Sequence, residues 1–531
     1  MASDEATVQP LTTPATVASP PAADIGGAGV QVAQSRSLRT LAASGAAWGT
    51  FNSAYRQLVR VVVAIVLARL LTPADYGLAA MAFVLTSFVL TFSDASLGKA
   101  LIQRPTIDEL DRSTVFWTTF AIGVVLTCVG VAASGMIAAF FHQPALKPLV
   151  AVLSVSFVLI SLQMTPAALL QREMRFRATV IRFTVGTTVA GIAGIAVAAA
   201  GGGAWALILQ QLAFAGTSTL LLWTLSGWRP RLAFSWARLR SLGSFGIRVM
   251  FARLMDDISG NADNMLVGRY LGSAALGAYS VAYNVMLVPI SKLALPIQES
   301  LFPVLSRVQD DRERVARMWL RSTVLLAVLL APLMVGLAIV APEFVRVVLG
   351  SRWAAVVPVV RILAPTAILQ SLGGLASTVL LAIDRPKTVF RFSFANTVLT
   401  LIAFVVGLHW GIVGVATGYA AVVSPLSIYL IVRVAKIVSA RPVDVAGRLG
   451  QVVQVTAVMA AGVALVQWYA RSVELAPSMM LVLLVAAGAL LYVPLCLLLV
   501  EHAREESRRV WGFLLVRLRR PSSDPALAKA S

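Results

Sequence analysis

The sequence has few charged residues, few cysteines and few histidines. Of its 531 residues only 13% are charged and 58% are hydrophobic, whereas soluble domains have about 25% charged and about 45–50% apolar residues. A water-soluble protein of ordinary architecture is therefore excluded, and a polytopic membrane protein remains. Cys128 and Cys496 lie in apolar stretches and are too few for a disulfide framework. The three histidines are far apart, so we expect neither a metal site nor another cofactor.

Long loops are also missing, so no segment outside the apolar stretches could fold as an independent catalytic domain. What is present is a succession of about fourteen apolar segments, each long enough to cross a bilayer. They are 43–70, 76–98, 113–140, 148–171, 178–200, 203–226, 243–270, 275–300, 318–341, 355–382, 388–408, 411–435, 450–469 and 478–500. The predicted fold class is an all-α polytopic membrane protein with about 14 transmembrane helices.

Positive charge is in excess, with 44 Lys and Arg against 24 Asp and Glu and a net charge of +20. In a soluble protein this would suggest nucleic acid, but cytoplasmic loops of membrane proteins collect Lys and Arg. The basic residues occur in every second loop, from Arg36 and Arg39 to the basic end of the chain. This alternation predicts an even number of spans with both termini in the cytoplasm, and no nucleic-acid partner.

The predicted organisation follows from these segments. Residues 1–37 have no basic stretch followed by an apolar one, so they form a disordered cytoplasmic tail rather than a signal peptide. Residues 38–226 form an N-lobe of six spans, 227–242 a basic cytoplasmic linker, and 243–436 a C-lobe of six spans. Two further spans occupy 437–500, and 501–531 form a basic cytoplasmic tail.

An internal repeat becomes visible when the sequence is shifted by 200 residues. The link between the first two spans, 67–77, then lies over the link between the seventh and eighth, 267–277. The coinciding residues are Arg69 and Arg269, Leu71 and Leu271, Ala74 and Ala274, Gly77 and Gly277, and Ala82 and Ala282. We expect the shared arginine to anchor at the membrane interface and the shared glycine to permit a tight turn.

The repeat also bears on function. Because an even number of spans separates the two copies, the halves run in the same direction and are related by an axis along the membrane normal. Transporters commonly place their substrate path at the interface between such repeats. This arrangement favours a transporter over a membrane-bound enzyme.

Charged side chains in two equivalent spans form the candidate site. A charge at mid-bilayer costs about 2.5–3.5 kcal/mol, so each one needs a reason. Arg56 and Arg60 share a face of the first span, and Arg253 lies in the seventh. These three are the candidate substrate-binding residues, because arginine suits bidentate recognition of phosphate. The candidate coupling or gating residues follow in the seventh span: Asp256, Asp257, Asn261, Asp263 and Asn264.

Two interpretations of these charges remain open at the level of sequence. Under the 200-residue shift Arg56 lies opposite Asp256, so the two could form a static pair that fixes the bundle. Alternatively, the arginines line a cationic, hydrated cavity between the halves, and the acids gate it.

Two motifs carry a resemblance to a known family. The run ARLLTPADYG (68–77), after a basic first span, resembles the polysaccharide-exporter branch, the Wzx-like oligosaccharide flippases, of the multidrug/oligosaccharidyl-lipid/polysaccharide (MOP) flippase superfamily. The run DNMLVGRYLG (263–272), followed by LGAY (276–279), is similar to a second recurrent segment of that family. The resemblance covers roughly residues 38–440. It implies two six-helix lobes that form a V-shaped carrier working by alternating access, here with two extra C-terminal helices.

The implied function is transport of undecaprenyl-diphosphate-linked oligosaccharide across the bacterial cytoplasmic membrane, for lipopolysaccharide, capsule or exopolysaccharide biosynthesis. Expected partners are this lipid-linked cargo, membrane lipids, and polymerase and glycosyltransferases of the same pathway. The sequence has no nucleotide-binding loop of the Walker type. We therefore expect a gradient to drive transport, with coupling at Asp256 and Asp257.

The alternative functions are a MATE-like drug/cation antiporter, a lipid II-type flippase and a membrane polymerase or ligase. A MATE-like drug/cation antiporter usually has twelve spans, so the two last segments weigh against this alternative without eliminating it. A lipid II-type flippase shares the fourteen spans, and the arginine pattern does not decide between its substrate and the oligosaccharide. A membrane polymerase or ligase would need a sizeable periplasmic loop with reactive side chains, and the sequence contains none. We therefore expect the protein not to be an enzyme.

Overall fold

The computed structural model describes residues 52–93, 98, 101–102, 104, 106–243, 246–473 and 475–499, with side chains at all of these except 85–93, 176 and 241–259. Every regular element in these ranges is helical. The predicted tails, 1–37 and 501–531, lie outside the described residues. By internal contacts the chain divides between Gln57 and Leu58, and the packing between helices described below is that of the described residues from Leu58 onward.

The helices follow the predicted order. In the first half they are α1 (52–70), α2 (Pro73–Ser93), α3 (Glu109–Phe140), α4 (Leu146–Arg172), α5 (Phe176–Ala199) and α6 (Trp205–Ser226). A short helix, α7 (Trp236–Gly243), lies in the linker. The second half has α8 (Gly246–Pro289), α9 (Leu295–Arg307), α10 (Arg312–Phe344), α11 (Val356–Ala382), α12 (Pro386–Gly407) and α13 (Gly411–Ile437), and α14 (Pro442–Ser472) and α15 (Pro477–Leu499) follow. A five-residue π-helical segment joins α8 to α9, and another, Val345–Leu349, ends α10.

Ten helical stretches among the described residues are long and apolar enough to cross a membrane. Two of them, Gly260–Arg307 and Pro386–Ile437, have 48 and 52 residues and fold back on themselves. Asp263 and Tyr279 would be about 24 Å apart in a straight helix, yet the Tyr279 hydroxyl donates to Asp263 over 3.0 Å. The chain reverses at Gly272, where φ is +85°.

The second long stretch reverses in the same way near Gly411, where φ is +67°. The rings of Phe404 and Tyr419 stack across this turn with centroids 6.0 Å apart. Each of the two stretches therefore contains a pair of helices, as the spans predicted at 243–270 and 275–300, and at 388–408 and 411–435, require. The all-helical, multi-pass fold class is confirmed, while the exact number of fourteen spans stays a prediction.

The linker between the halves is docked onto the start of α3, which the sequence did not indicate. Trp228 Nε1 donates to Glu109 over 2.8 Å, and Trp117 Nε1 donates to the carbonyl of Arg231 over 2.8 Å. Arg238 reaches Asp108 at 3.1 Å and the buried Asp111 at 3.3 Å. The bond from the Asp111 backbone N–H holds the pKa of the Asp108 carboxyl below its usual range, and Arg238 adds to this effect.

The two last helices pack against the second half. Glu343, near the end of α10, is 9% exposed at its side chain and pairs with Arg471 of α14 at 3.3 Å. Gln467 Nε2 donates to the same carboxylate over 2.9 Å. On α15, the Tyr492 hydroxyl donates to the carbonyl of Val328 over 2.9 Å. These polar contacts fix α14 and α15 to α10.

Candidate functional site

The two copies of the repeat meet each other at one end of the bundle. A Cβ placed on Gly77 would lie 1.7 Å from the carbonyl oxygen of Ser273, and a Cβ placed on Gly277 would lie 1.8 Å from that of Pro73. The contacts are reciprocal: α2 of the first half lies backbone to backbone against the part of α8 that follows Gly272. Only glycine leaves room for this approach.

This geometry corrects the predicted role of the shared glycine. Gly77 and Gly277 lie inside helices and allow a close approach, whereas the turns are made five residues earlier. In the first copy the Thr72 hydroxyl oxygen accepts from the backbone N–H of Asp75 over 3.3 Å, and Asp75 Oδ2 accepts from the backbone N–H of Thr72 over 2.9 Å, which is a capping box at the start of α2. In the second copy the equivalent of Thr72 is Gly272, with its positive φ.

The two shared arginines each reach into the opposite half. Arg69 donates to the carbonyls of Arg346, Val347 and Val348, where α10 ends and its C-terminal carbonyls attract a cation. Arg269 contacts the His142 ring and lies 5.5 Å from the centroid of the Phe140 ring, at the end of α3. Each arginine thus binds the end of the third helix of the other half.

Aromatic side chains fill the space beneath these contacts. Trp353 is fully buried, and its Nε1 donates to the carbonyl of Ala68 over 2.8 Å. Its ring lies edge-on to Tyr76, with centroids 5.0 Å apart. A Cβ on Gly268 would lie 2.9 Å from the Phe141 ring. We call this set the inter-half seal: Arg69, Pro73, Tyr76, Gly77, Phe141, His142, Gly268, Arg269, Ser273, Gly277 and Trp353.

The predicted substrate-binding arginines of the first span lie on α1. Arg56 is half-buried and donates to the Asn52 carbonyl over 3.3 Å and to the Ser53 hydroxyl over 3.1 Å. Arg60 lines a cavity of about 230 Å³ whose other walls come from α1, α2, α5 and α6. The lining residues with Arg60 are Val63, Ala64, Leu67, Tyr76, Thr187, Leu207 and Gln210. This cavity therefore lies within the first half, with polar groups from Tyr76, Thr187 and Gln210 beside one arginine.

The charged residues of the seventh span fall partly outside the described side chains. Arg253, Asp256 and Asp257 lie on α8, but their side chains are outside the described part of the structure. The proposed pairing of Arg56 with Asp256, and a shared cavity of Arg56, Arg60 and Arg253, therefore stay predictions.

Asp263 is buried within the second half, with 5% of its surface exposed. Its Oδ2 accepts from the Tyr279 hydroxyl over 3.0 Å, and its Oδ1 accepts from the backbone N–H of Asn264 over 2.7 Å. The Tyr279 ring stacks on Tyr283 with centroids 6.2 Å apart, and Tyr283 meets Tyr419 at 6.4 Å. The nearby predicted residues, Asn261 and Asn264, are half-buried.

The sequence did not single out these tyrosines, nor the partners of the two shared arginines. Tyr279 belongs to the LGAY run that carried the family resemblance, and its spacing from Asp263 would have suggested a contact once the turn at Gly272 was recognised. The partners of Arg69 and Arg269 lie in other helices and share no local pattern with them.

Fold and site together define an integral membrane protein built from two repeated halves, which meet through their repeat motifs at one end. The profile of a family described as "Polysaccharide biosynthesis protein" matches residues 66–358. The chain belongs to this family, and the predicted membership of the polysaccharide-exporter branch of the MOP superfamily is confirmed.

Named relatives agree with this assignment. The chain is similar to the lipopolysaccharide biosynthesis protein WzxC of Escherichia coli (strain K12), with 29% identity over 390 residues covering 72% of this chain and 78% of the relative. It is also similar to the teichuronic acid biosynthesis protein TuaB of Bacillus subtilis (strain 168), with 27% identity over 65% of this chain and 72% of the relative. The succinoglycan biosynthesis transport protein ExoT of Rhizobium meliloti (strain 1021) is 28% identical over 60% of this chain and 63% of the relative.

Solved structures share the fold. The lipid II flippase MurJ in an inward closed conformation superposes with a TM-score of 0.67 at 16% identity, covering 85% of this chain and 98% of that chain. An inward-facing multidrug resistance MATE family transporter of the MOP superfamily superposes with a TM-score of 0.58 at 15% identity, covering 72% of this chain and 94% of that chain. The fold is therefore that of the MOP transporters.

Proposed function

We propose that this protein is a flippase that moves undecaprenyl-diphosphate-linked oligosaccharide across the bacterial cytoplasmic membrane by alternating access, for lipopolysaccharide, capsule or exopolysaccharide biosynthesis. The inter-half seal is the observation that carries the proposal. The seal joins the two halves at one end through glycine contacts and through Arg69 and Arg269, each of which binds the opposite half. Because these contacts are non-covalent, the two halves can separate and rejoin during a transport cycle. The relatives that act in polysaccharide biosynthesis support the nature of the cargo.

The proposed orientation places the seal at the periplasmic end, with both termini in the cytoplasm, because the basic loops lie at the opposite end. The chain then stands closed to the periplasm, and the head group would enter from the cytoplasmic leaflet. Its polyprenyl tail can stay in lipid while the charged head group crosses. Translocation needs no bond cleavage, so we propose a transporter without enzymatic activity, which receives its cargo from glycosyltransferases and delivers it to a polymerase.

A flipping assay with the purified full chain tests this function. Vesicles carry a fluorescent polyprenyl-diphosphate oligosaccharide in both leaflets, and an impermeant reductant quenches the outer leaflet. We expect quenching to proceed beyond the outer-leaflet fraction in vesicles with the protein, and to stop at that fraction in vesicles without it. Failure to flip any lipid-linked oligosaccharide, together with transport of an organic cation in the same vesicles, would favour the drug-antiporter alternative.

Arg60 is expected to contact the diphosphate or acidic sugars. The loss of a charge-assisted hydrogen bond to phosphate costs about 1.5–3 kcal/mol, or roughly 10- to 100-fold in a rate or affinity. Arg60→Ala should lower flipping by about this factor, and Arg60→Lys should restore only part of it, because lysine lacks the bidentate fork. Flipping is measured at matched protein abundance in the membrane.

Leu58→Ala is the matched control for Arg60, because this side chain on the same helix is 62% exposed and does not line the cavity. It should keep the parental rate. If the Arg60→Ala variant flips the cargo as fast as the Leu58→Ala variant, Arg60 is not part of the substrate path.

Asp263 is the described acid best placed to couple transport to an ion or proton gradient. It is buried in a membrane-spanning helix pair and has the Tyr279 hydroxyl as a partner, and such acids usually serve ion or proton movement. Asp263→Asn keeps the size and one acceptor but cannot ionise. We expect net transport driven by an imposed gradient to fall to the level without a gradient, while exchange of cargo at equilibrium continues.

Tyr279→Phe provides the control for Asp263, because it removes the hydrogen bond and leaves the carboxyl group. It should retain the response to a gradient. If Asp263→Asn responds to the gradient like the parent chain, Asp263 has no part in coupling.

A further inference from the structure

A cavity of about 720 Å³ lies where the start of α10 meets the start of α14, at the opposite end of α10 from the carbonyls that Arg69 binds. Its lining residues are Asp311, Arg314, Arg317, Met318, Leu320, Arg321 and Arg448. We call this set the arginine cleft. Its volume falls within the roughly 300–1,000 Å³ that small-molecule pockets have, and four of its seven lining residues are arginines.

The arginines of the cleft come together for two reasons. Arg314, Arg317 and Arg321 are spaced by three and four residues, which places them on one face of α10. Arg448 comes from the second turn of α14, one of the two helices beyond the repeated halves. The cleft therefore exists because the extra helices pack against α10, and the contact of Glu343 with Arg471 at 3.3 Å fixes that packing at the other end.

The depth of the cleft matches the phosphates of a lipid bilayer. α10 has 33 residues and is about 50 Å long, which exceeds the roughly 30 Å of the hydrocarbon core. Arg314 to Arg321 lie within its first ten residues, so a hydrocarbon core centred on the helix would leave them near the level of the head groups. The half-buried Met318 and the buried Leu320 supply an apolar wall beside the charges.

The electrostatics of the cleft favour an anion. Asp311 is the single carboxylate in its described lining, and its Oδ1 accepts from the backbone N–H of Arg314 over 2.9 Å as the cap of α10. Arg317 meets Glu313 at 3.4 Å, but both side chains are exposed, at 66% and 83%. Exposed pairs of this kind contribute little to stability, and Glu313 is not among the residues that line the cleft.

We infer that the arginine cleft binds the phosphate head group of an anionic glycerophospholipid from the surrounding leaflet. Guanidinium groups on two helices can share one phosphate through paired hydrogen bonds, and basic pockets between membrane helices are suited to anionic lipid head groups. The bound lipid holds the start of α14 against α10, with its acyl chains along the lipid-facing sides of these helices. The cleft shares no lining residue with the Arg60 cavity, and lipid binding there does not depend on the proposed function.

Lipid retention by the purified full chain tests the inference. The chain is incubated with phosphatidylglycerol or with zwitterionic phosphatidylethanolamine, and bound lipid is counted by native mass spectrometry beside the thermal unfolding temperature. We expect phosphatidylglycerol to be retained and to raise the unfolding temperature, and phosphatidylethanolamine to do neither. Arg321→Gln with Arg448→Gln should lower phosphatidylglycerol retention by about tenfold, the effect of losing roughly 1.4 kcal/mol of binding.

Arg441→Gln is the matched control, because Arg441 is exposed at the start of α14 and does not line the cleft. It should retain phosphatidylglycerol like the parent. If the double variant is poorly folded, Arg314→Gln with Arg317→Gln, two exposed positions, should give the same loss. Equal phosphatidylglycerol retention by parent and cleft variants overturns the inference. Binding of a polyprenyl diphosphate, but not of phosphatidylglycerol, through these arginines would also overturn the inference, because the cleft would then be a binding site for the cargo. Flipping activity does not enter this readout.

Discussion

Gly77→Ala and Gly277→Ala should each lower flipping by about 5- to 100-fold, and the double variant should abolish it. The added methyl carbon would lie 1.7 or 1.8 Å from a carbonyl oxygen of the other half, so the two halves cannot approach to the observed distance. Overpacking of a tight contact costs about 1–3 kcal/mol, and each 1.4 kcal/mol corresponds to a factor of ten. The state closed at this end is therefore depopulated, and a cycle that passes through it slows.

Gly135→Ala is the control for this effect. Gly135 lies on α3 near the seal, and a Cβ there would meet nothing within 4 Å. Alanine favours a helix over glycine by about 0.5–1 kcal/mol, so this variant should be at least as stable as the parent and should flip normally. Normal flipping by Gly77→Ala and Gly277→Ala would mean that the close approach of the halves is dispensable.

Replacement of both shared arginines should open the seal. In Arg69→Gln with Arg269→Gln, the carbonyls at the end of α10 lose their cation, and the ring of His142 loses its partner. Because both contacts are exposed, each one stabilises the closed seal by about 1 kcal/mol or less. Loss of both should shift the equilibrium between the closed and the open seal by roughly tenfold. In a chain with Cys128→Ala and Cys496→Ala, a thiol introduced by Ser273→Cys should react about tenfold faster with an impermeant reagent when both arginines are replaced.

Arg346→Gln is the matched control for the arginine pair. Arg346 contributes its carbonyl, not its side chain, to the contact with Arg69, so this variant should leave the thiol as protected as in the parent. Equal labelling rates in the parent and the double arginine variant would show that the arginines do not hold the seal.

Much of the fold was readable from the sequence, because membrane spans are long apolar segments with a strong local signal. The fourth span, predicted at 148–171, is observed as Leu146–Arg172. The largest shift among the later spans is at α14, predicted at 450–469 and observed as Pro442–Ser472. Its first turns carry Asp444 and Arg448, so hydropathy assigned them to a loop although they continue the helix into the head-group region.

The site was readable in part. The 200-residue repeat correctly marked Arg69, Gly77 and their second copies as important, since identical residues at one topological point indicate a shared structural task. Their roles were not readable, because a sequence contains no signal for which backbone approaches a glycine in space. The turn assigned to Gly77 was wrong for that reason. Asp263 was grouped with Asp256 and Asp257 by proximity in sequence, whereas its contact with Tyr279 depends on the reversal at Gly272.

Locking the inter-half seal tests the alternating-access account most directly. In a chain with Cys128→Ala and Cys496→Ala, His142→Cys with Arg269→Cys places two thiols at an exposed contact between the halves. A crosslinker with two thiol-reactive groups and a cleavable spacer then joins them, and flipping of fluorescent polyprenyl-diphosphate oligosaccharide is measured before joining, after joining and after cleavage. The account predicts that the joined protein stops flipping and that cleavage restores the rate measured before joining. Flipping at an unchanged rate while the crosslink is intact would contradict it.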